Sequence, residues 1–268
     1  MRLTPVTRRR PLSLDDRAAA RPAELPDDDV LKEKTRDLLD RLADLQSRLY
    51  AEARHAMLIV LQGRDASGKD GVVRKVFRAC NPAGCQVTPF GVPTRLELRH
   101  DFLWRIHQAV PAKGLIGIFN RSHYEDVLVV RVHELVPESV WARRYDQINE
   151  FERMLDASGV KIVKFFLHIS HEEQRQQLLE RLTDPTKNWK FRAGDLDDRA
   201  LWSAYTKAYR DALKRCSTPW APWYVVPADD KDARDYLVAR TVVETLESLH
   251  PRYPKADPKV LKLRRKLK

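Results

Sequence analysis

Residues 56–71 read AMLIVLQGRDASGKDG, and this stretch decides how the chain folds. It starts with a run of aliphatic side chains at 57–61 and continues into a turn that contains Gly63 and Gly68. A short apolar run is typical of a strand inside a parallel sheet, because helices cover both faces of such a sheet. The stretch therefore predicts a buried strand, a tight glycine-containing loop and the start of a helix.

The loop has the spacing Gly-x4-Gly-Lys of a P-loop, with Lys69 as its lysine. In a P-loop, backbone N–H groups and a helix N-terminus hold phosphate oxygens, and the lysine neutralises their charge. Asp70 departs from the usual pattern, because a Ser or Thr that helps to hold magnesium normally follows the lysine. For Arg74 and Lys75, on the predicted helix, a solvated surface is an equally good interpretation. The residues predicted to bind phosphate are Gly63, Arg64, Ala66, Ser67, Gly68, Lys69, Asp70, Arg74 and Lys75.

Charged side chains follow the third predicted strand, in the sequence IFNRSHYED. Open α/β sheets bind ligands at the carboxyl ends of their strands, so a ligand is expected here. Asn120 stands where a P-loop protein usually has a metal-binding Asp, and Arg121 is a natural clamp for phosphate oxygens. Glu125 and Asp126 either begin a solvated helix or contact a metal or the phosphate acceptor. Asp65, inside the P-loop, either stabilises the turn or acts through a metal or on the acceptor.

The segment TDPTKNWKFRAGDLDDR, residues 183–199, has many charges and few aliphatic side chains. Such a segment inside a domain is typically a functional loop. It is either a merely solvated basic loop or a lid, at about 183–200, that closes over phosphates. The candidate lid cations are Lys187, Lys190, Arg192 and Arg199.

Strands and helices alternate along the rest of the chain, which predicts an α/β fold with a central parallel sheet of about five strands between two helical layers. Residues 1–54 are predicted to form an extended or disordered arm and then an amphipathic helix, whose leucine stripe must bury against the main domain or another subunit. The main domain is expected at 55–250, and a basic tail at 251–268. The later strands are predicted at 86–90, 115–119, 161–169 and 223–226, and the helices at 30–54, 68–80, 95–109, 137–157, 171–182, 200–215 and 231–249.

The 268 residues carry a formal net charge of +11, which suits a polyanionic partner such as nucleic acid, anionic lipid, a nucleotide or an inorganic phosphate polymer. The three cysteines have no metal-ligand spacing and predict free thiols in a reducing cytoplasm. No apolar signal region and no run of about 20 apolar residues is present, so neither a secretory signal nor a membrane span is predicted.

Several motifs, taken in order, make the chain resemble the type-2 polyphosphate kinase family of the P-loop kinase superfamily. They are GRDASGKDG, HDFLWRIH, IFNRSHYEDVLVVRVH, KFFLHIS, DPTKNWKFRAGDLDDR and APWYVVPADDK. The resemblance covers most of residues 30–250. It implies a P-loop kinase-like sandwich with a lid, and phosphoryl transfer between inorganic polyphosphate and AMP, ADP or ATP with Mg²⁺ or Mn²⁺. The implied reaction centre consists of Asp65, Lys69, Asn120, Arg121, Glu125 and Asp126, with Asp65 and Asp126 as candidate metal ligands.

The resemblance also implies a homo-oligomer, a dimer or a tetramer. Two other interpretations remain open at this point. An ATP-dependent nucleoside or nucleotide kinase would share the loop and the lid. A nucleic-acid-binding protein would use the basic ends of the chain, but the sequence has no RNP, helix-turn-helix or zinc-finger pattern, and no specific nucleic acid is expected.

Overall fold

The computed structural model describes residues 1–267, and a five-stranded sheet lies at its centre. All neighbouring strands are parallel, in the order β2-β3-β1-β4-β5. Parallel neighbours need crossover connections, so helices cover both faces, and the predicted three-layer α/β/α fold is confirmed. The strands are β1 (Ala56–Gly63), β2 (Cys85–Pro89), β3 (Ile116–Asn120), β4 (Val160–His168) and β5 (Trp223–Pro227).

The α-helices of the described residues form the two outer layers and four shorter pieces. Alternate side chains of β1 enter opposite layers: Met57 and Ile59 face one core, and Leu58 and Val60 face the other. The helices are α1 (Asp28–Glu52), α2 (Lys69–Val76), α3 (Trp104–Gln108), α4 (Val129–Val132), α5 (Glu138–Ala157), α6 (His171–Thr183), α7 (Gly194–Ala200), α8 (Trp202–Arg215), α9 (Lys231–Ser248) and α10 (Pro258–Lys262). The four shorter pieces are α3, α4, α7 and α10. None of these helices combines the length and apolar character that a membrane span requires.

Helix α1 buries its leucine stripe within the chain. Leu31, Leu42 and Leu49 are fully buried in the core that α1 shares with α2 and α9. Of the two partners that the sequence left open, the stripe therefore uses the main domain. The stripe gives no separate reason to expect a second subunit.

The N-terminal arm packs against the domain and contains one 3-10 turn, Asp16–Ala19. Leu14 and Ala19 are buried against the domain, and the backbone N–H of Val6 donates to the carbonyl of Trp223 at 2.8 Å. Because β5 is an edge strand, this arm covers backbone groups that would otherwise be open to another chain.

Two predicted helices are interrupted. The predicted helix at 95–109 is a 3-10 turn, Glu97–Arg99, followed by the short α3, because the Asp101 carboxylate accepts from the Leu103 N–H at 3.0 Å and forms a local turn. The helix predicted at 200–215 is present as α8. A separate short helix, α7, precedes it and lies inside the predicted lid. The helix predicted at 68–80 is α2 followed by a 3-10 turn, Phe77–Ala79. The remaining predicted elements agree with the structure to within two residues at each end, whereas α4 and α10 were not predicted.

Candidate active site

The P-loop and the end of β3 are adjacent because β1 and β3 are neighbouring parallel strands. Their register pairs Leu61 with Asn120, so both strands end at the same edge of the sheet. The backbone N–H of Arg121 donates to the Leu61 carbonyl at 3.0 Å and fixes the second loop against the first. The two stretches that the sequence singled out therefore form one site.

The P-loop turns tightly between β1 and α2. Ala66 and Gly68 have positive φ angles of 66° and 90°, which only glycine adopts without strain. A Cβ atom on Gly63 would lie 2.7 Å from the Leu167 carbonyl oxygen, so β4 also requires a glycine there. The loop ends at Lys69, the first residue of α2, and its backbone is thus arranged around a helix N-terminus.

Lys69 is 8% exposed and is held by the loop itself. Its Nζ donates to the carbonyls of Gly63 at 2.7 Å and Arg64 at 3.1 Å. Burial, followed by the nearby Arg121 guanidinium, lowers the pKa of Lys69 to about 8. Among the described residues, no carboxylate bonds to this buried lysine, and a bound phosphate would restore its preference for the charged form.

Asp65 and Arg121 form an ion pair across the site. The Arg121 Nη2 atom donates to Asp65 Oδ1 at 2.6 Å, and Arg121 has a positive φ of 65° that turns its side chain back toward the P-loop. Burial would lower the pKa of Arg121, but Glu125 and Asp65 outweigh it, and the net pKa is raised. The predicted clamp thus faces the P-loop, where a phosphate would lie.

Glu125 belongs to the same cavity. Burial raises the pKa of Glu125, although Arg121 and Lys69 act against that rise. The cavity thus brings carboxylates and guanidinium groups together. Its lining residues are Gly63, Arg64, Asp65, Arg121, Glu125, Val129, Gln174, Asp198, Tyr205 and Tyr209.

Asp126 is paired with a residue of α5, and its place in the reaction centre stays a prediction. Its Oδ1 accepts from Arg144 Nη1 at 2.8 Å, and the residue is not among those that line the cavity. Burial raises the pKa of Asp126, with Arg144 and Arg105 opposing that rise. Asp126 therefore connects the loop after β3 to α5, and Glu125 is the acid that faces the P-loop.

Asp70 faces outward at the rim of the site, with 71% of its side chain exposed. Its Oδ1 accepts from Asn120 Nδ2 at 2.7 Å, and its Oδ2 lies 3.9 Å from the Nζ of Lys190. Asp70 thus contacts the end of β3 and the predicted lid. Arg74 and Lys75 follow it on α2 and are exposed.

Arg64 points into the fold on the other side of the P-loop. Its guanidinium stacks 3.8 Å from the Trp202 ring centroid, and its Nη2 donates to Thr206 Oγ1 at 2.5 Å. Within residues 1–267, its buried Nε and Nη1 have no hydrogen-bond partner. Burial lowers the pKa of Arg64 to about 10. Such an incompletely paired cation beside a P-loop is suited to an anionic ligand.

The predicted lid cations have different partners. Lys187 Nζ pairs with Glu180 on α6 at 2.5 Å and with Asp184 of its own segment at 3.1 Å. Arg199 Nη1 donates to the His171 carbonyl at 2.8 Å, so it ties α7 to the start of α6. Lys190 approaches Asp70 as described above, and Arg192 is exposed.

Two residues that the sequence did not indicate support the P-loop. The Arg234 guanidinium on α9 lies where a Cβ on Gly68 would be, at 2.1 Å from that position, and Asp235 holds it at 2.8 Å. Gln174 on α6 donates from Nε2 to the Asp65 carbonyl at 3.0 Å. Arg234 has no local signal in the sequence, whereas Gln174 follows β4 and could have been suspected from the carboxyl-edge rule.

A buried charge network lies beneath the second loop. Lys164 Nζ donates to Glu152 Oε2 at 2.5 Å and to the Tyr124 hydroxyl at 2.7 Å, and His123 Nε2 lies 3.2 Å from Glu152 Oε1. All four side chains are fully buried. Burial alone would raise the pKa of Glu152, but Lys164 and His123 outweigh it and lower that pKa. This network fixes the residues that directly follow Arg121.

Carboxylates line the cavity and are the charged groups there that would suit a divalent metal. Among the described residues, no group of three His, Cys, Asp or Glu side chains is placed to hold a metal ion by itself. Mg²⁺ commonly binds through one or two carboxylates together with substrate phosphates and water. Asp65 and Glu125, which line the same cavity, fit that requirement.

Comparisons with known proteins agree on one family. Residues 26–254 match the family described as Polyphosphate kinase 2 (PPK2). The chain is 58% identical over 217 residues to an AMP/ADP-polyphosphate phosphotransferase of Meiothermus ruber, which covers 81% of each chain. It is 48% identical over 238 residues to an ADP-polyphosphate phosphotransferase of Rhodopseudomonas palustris, covering 84% of this chain and 82% of that one. The crystal structure of polyphosphate kinase 2 from Arthrobacter aurescens TC1 superimposes with a TM-score of 0.90 at 41% identity, over 93% of this chain and 90% of that one.

Proposed function

Because this chain belongs to the polyphosphate kinase 2 family, we propose that it transfers a phosphoryl group reversibly between inorganic polyphosphate and a nucleotide, with AMP or ADP as acceptor. The observation that carries the proposal is Lys69, buried in a P-loop that faces Arg121 and Glu125. The relative at 58% identity acts on both AMP and ADP according to its name, which supports both acceptors here.

Binding would exchange the contacts that Lys69 and Arg121 make in the free chain. Lys69 Nζ would leave the Gly63 and Arg64 carbonyls for phosphate oxygens, and Arg121 would turn from Asp65 to the transferred group. Both exchanges replace a weaker partner with a more highly charged one. Catalysis is then positioning and charge neutralisation of an in-line transfer, which is the usual basis of phosphoryl transfer.

A divalent cation, Mg²⁺ or Mn²⁺, would neutralise charge on the phosphates, and Asp65 and Glu125 are the side chains we assign to hold it. We also assign Asp65 a second role, in which its carboxylate orients the phosphate of the acceptor. Asp126, paired with Arg144, is not assigned to the metal.

The lid supplies cations from outside the P-loop. Lys190 is the lid cation that approaches α2, at 3.9 Å from Asp70, and Arg192 is exposed nearby in sequence. We assign both to the polyphosphate chain. Lys187 and Arg199 hold the lid in place through Glu180 and His171.

The test is product analysis with AMP or ADP, polyphosphate and Mg²⁺ but no ATP. We expect ADP to form from AMP, and ATP from ADP. Lys69→Ala should lower the rate by about 10²- to 10⁴-fold, as the loss of a phosphate-stabilising group does. Lys113→Ala is the matched control. Lys113 is an exposed lysine just before the start of β3, at the end of the strand opposite to the site.

Two results would contradict the proposal. One is the absence of polyphosphate-dependent products together with ATP-dependent phosphorylation of a nucleoside or nucleotide, which would indicate the ATP-dependent kinase instead. The other is a Lys69→Ala variant as active as wild type.

The homo-oligomer, a dimer or a tetramer, and the cytoplasmic location stay predictions. The leucine stripe of α1 no longer supports an oligomer, since it is buried against α9. Light scattering at the assay concentration tests the oligomer, and a monomeric mass would contradict it.

A further inference from the structure

The N-terminal arm reaches the active-site edge of the sheet. Its residues 15–21 cross the carboxyl ends of β4 and β5, where the two strands lead into α6 and α9. The Asp15 carbonyl lies 2.8 Å from His168 Nε2 at the end of β4, and the Ala19 carbonyl accepts from the Asp229 N–H at 3.2 Å after β5. Arg21 pairs with Asp230 at 3.1 Å. The arm thus contacts the strand ends that flank the P-loop strand on one side.

The arm is also attached firmly enough to hold a position. Leu14 is 5% exposed and Ala19 is fully buried, one on each side of Asp16. Their burial fixes the segment between them against the domain. This attachment lies outside residues 26–254, the part that matches the family.

Asp16 caps α6. Its Oδ1 accepts from the backbone N–H of His171, the first residue of that helix, at 3.1 Å. The first N–H groups of a helix have no partner within the helix, and a carboxylate beside them also interacts favourably with the helix dipole. A residue of the arm thereby adds an acceptor at the first turn of α6, next to the helix's own cap.

The first turn of α6 in turn holds the lid and the P-loop. The His171 carbonyl accepts from Arg199 Nη1 at 2.8 Å, and Gln174 Oε1 accepts from the same atom at 3.0 Å. Gln174 Nε2 donates to the Asp65 carbonyl at 3.0 Å. One helical turn therefore connects Asp16 with Arg199 of the lid and Asp65 of the P-loop.

Electrostatics point the same way. Burial lowers the pKa of Arg64, and Tyr209 and Asp16 oppose that effect. Asp16 thus contributes negative charge at the buried side of the P-loop.

We propose that the N-terminal arm is a positioning element of the active site. In this proposal Asp16 holds the first turn of α6 and thereby fixes the positions of Arg199 in the lid and Asp65 in the P-loop. Asp16 is a positioning residue, since its side chain contacts the α6 backbone and not the reacting groups. This inference rests on the proposed phosphotransfer to AMP or ADP, because its readouts are the rates of that reaction.

The first experiment compares Asp16→Ala and Asp16→Asn with wild type, with polyphosphate varied at saturating ADP. Loss of one hydrogen bond at a helix terminus should lower kcat/KM about fivefold in Asp16→Ala, mainly through a higher KM for polyphosphate. Asp16→Asn keeps an acceptor oxygen but loses the negative charge, so its kcat/KM should lie between those of Asp16→Ala and wild type. Arg2→Ala is the matched control, because Arg2 pairs at 2.8 Å with Glu244 on α9, far along the arm from α6. It should leave both constants unchanged.

The second experiment is a double-mutant cycle between Asp16→Ala and Arg199→Ala. If Asp16 acts through Arg199, Arg199→Ala should lower kcat/KM by a clearly smaller factor in the Asp16→Ala background than in wild type. If the two residues act independently, the two factors would multiply. Thermal unfolding of each variant, with assays well below its midpoint, separates positioning from a loss of folded enzyme.

The outcomes are distinct. Wild-type kinetics in Asp16→Ala, an equal loss in Asp16→Asn, or effects that multiply in the cycle would each overturn the inference. An inactive wild type would instead contradict the proposed function.

Discussion

Raising the pH should lower kcat/KM for polyphosphate, because Lys69 loses its proton. Burial and Arg121 bring the pKa of this lysine from its ordinary 10.5 to about 8 in the free chain. That change corresponds to about 3 kcal/mol against the charged form. The lysine is then mostly charged at pH 7, about half charged at pH 8 and about one tenth charged at pH 9.

Only the charged form can neutralise a phosphate. The ratio kcat/KM for polyphosphate reports groups of the free enzyme, so it should fall through an apparent pKa of about 8 and lose roughly tenfold between pH 7 and pH 9. At saturating polyphosphate the fall in kcat should shift to higher pH, because the bound phosphate favours the ammonium form.

The assay is initial rates of ATP formation from ADP between pH 6.5 and about 9.5, at constant ionic strength and free Mg²⁺. Lys69→Arg is the informative variant, because a guanidinium stays charged over this range. The activity of this variant will be lower than that of wild type, because the two backbone carbonyls that hold Lys69 are placed for an ammonium group. Its kcat/KM should nevertheless stay constant as the pH passes 8. A flat wild-type profile, or the same fall in Lys69→Arg, would refute the assignment.

Three further substitutions test the supports of the site. Glu152→Gln should destabilise the fold by about 3–5 kcal/mol in urea unfolding, because it leaves Lys164 buried and unpaired; adding Lys164→Met should recover most of that loss, and additive losses would contradict the pairing. Gly68→Ala should lower both the unfolding midpoint and polyphosphate affinity, since φ is 90° and the new Cβ would collide with Arg234; unchanged values for both would argue against this packing. Asp70→Ala should change kcat/KM less than about fivefold, because its contact with the lid is long and exposed, whereas a loss above about a hundredfold would assign Asp70 to the metal or the phosphate.

Local patterns in the sequence were enough for the sheet and for the centre of the site. The aliphatic run before Gly63 predicts β1 because strand burial is a property of consecutive residues, and the P-loop spacing places Lys69 at the start of a helix. Arg121 follows β3 directly, so the carboxyl-edge rule places it beside the P-loop. The positions of these residues are determined mainly by the strand or helix that each belongs to or directly follows.

Glu125 and Asp126 show where such patterns fail. They lie in a 3-10 turn, His123–Val127, in which adjacent residues point about 120° apart. Only the packing of that turn decides which acid faces the cavity and which meets Arg144 on α5. The sequence could name both acids but could not choose between them.

The contacts of the N-terminal arm could not be predicted from the sequence for a different reason. Its contacts use backbone carbonyls and isolated side chains such as Leu14 and Ala19, so it has no periodic pattern and its composition resembles that of a disordered segment. Arg234 was hidden because α9 is far from the P-loop in sequence, and only the three-dimensional fold brings it to Gly68.

The charge balance of the free site explains how a P-loop can contain an aspartate. Asp65 would repel a phosphate, but here its Oδ1 is occupied by Arg121, and each group compensates the other. When a phosphate takes Arg121, Asp65 loses its partner, and a carboxylate left alone in a partly buried cavity is costly. Asp65 and Glu125 would recover a positive partner if a divalent cation bound with the substrate, and that cost would then be removed. The metal and the phosphate should therefore bind cooperatively, and polyphosphate affinity should depend more weakly on Mg²⁺ when Asp65 is replaced by Asn.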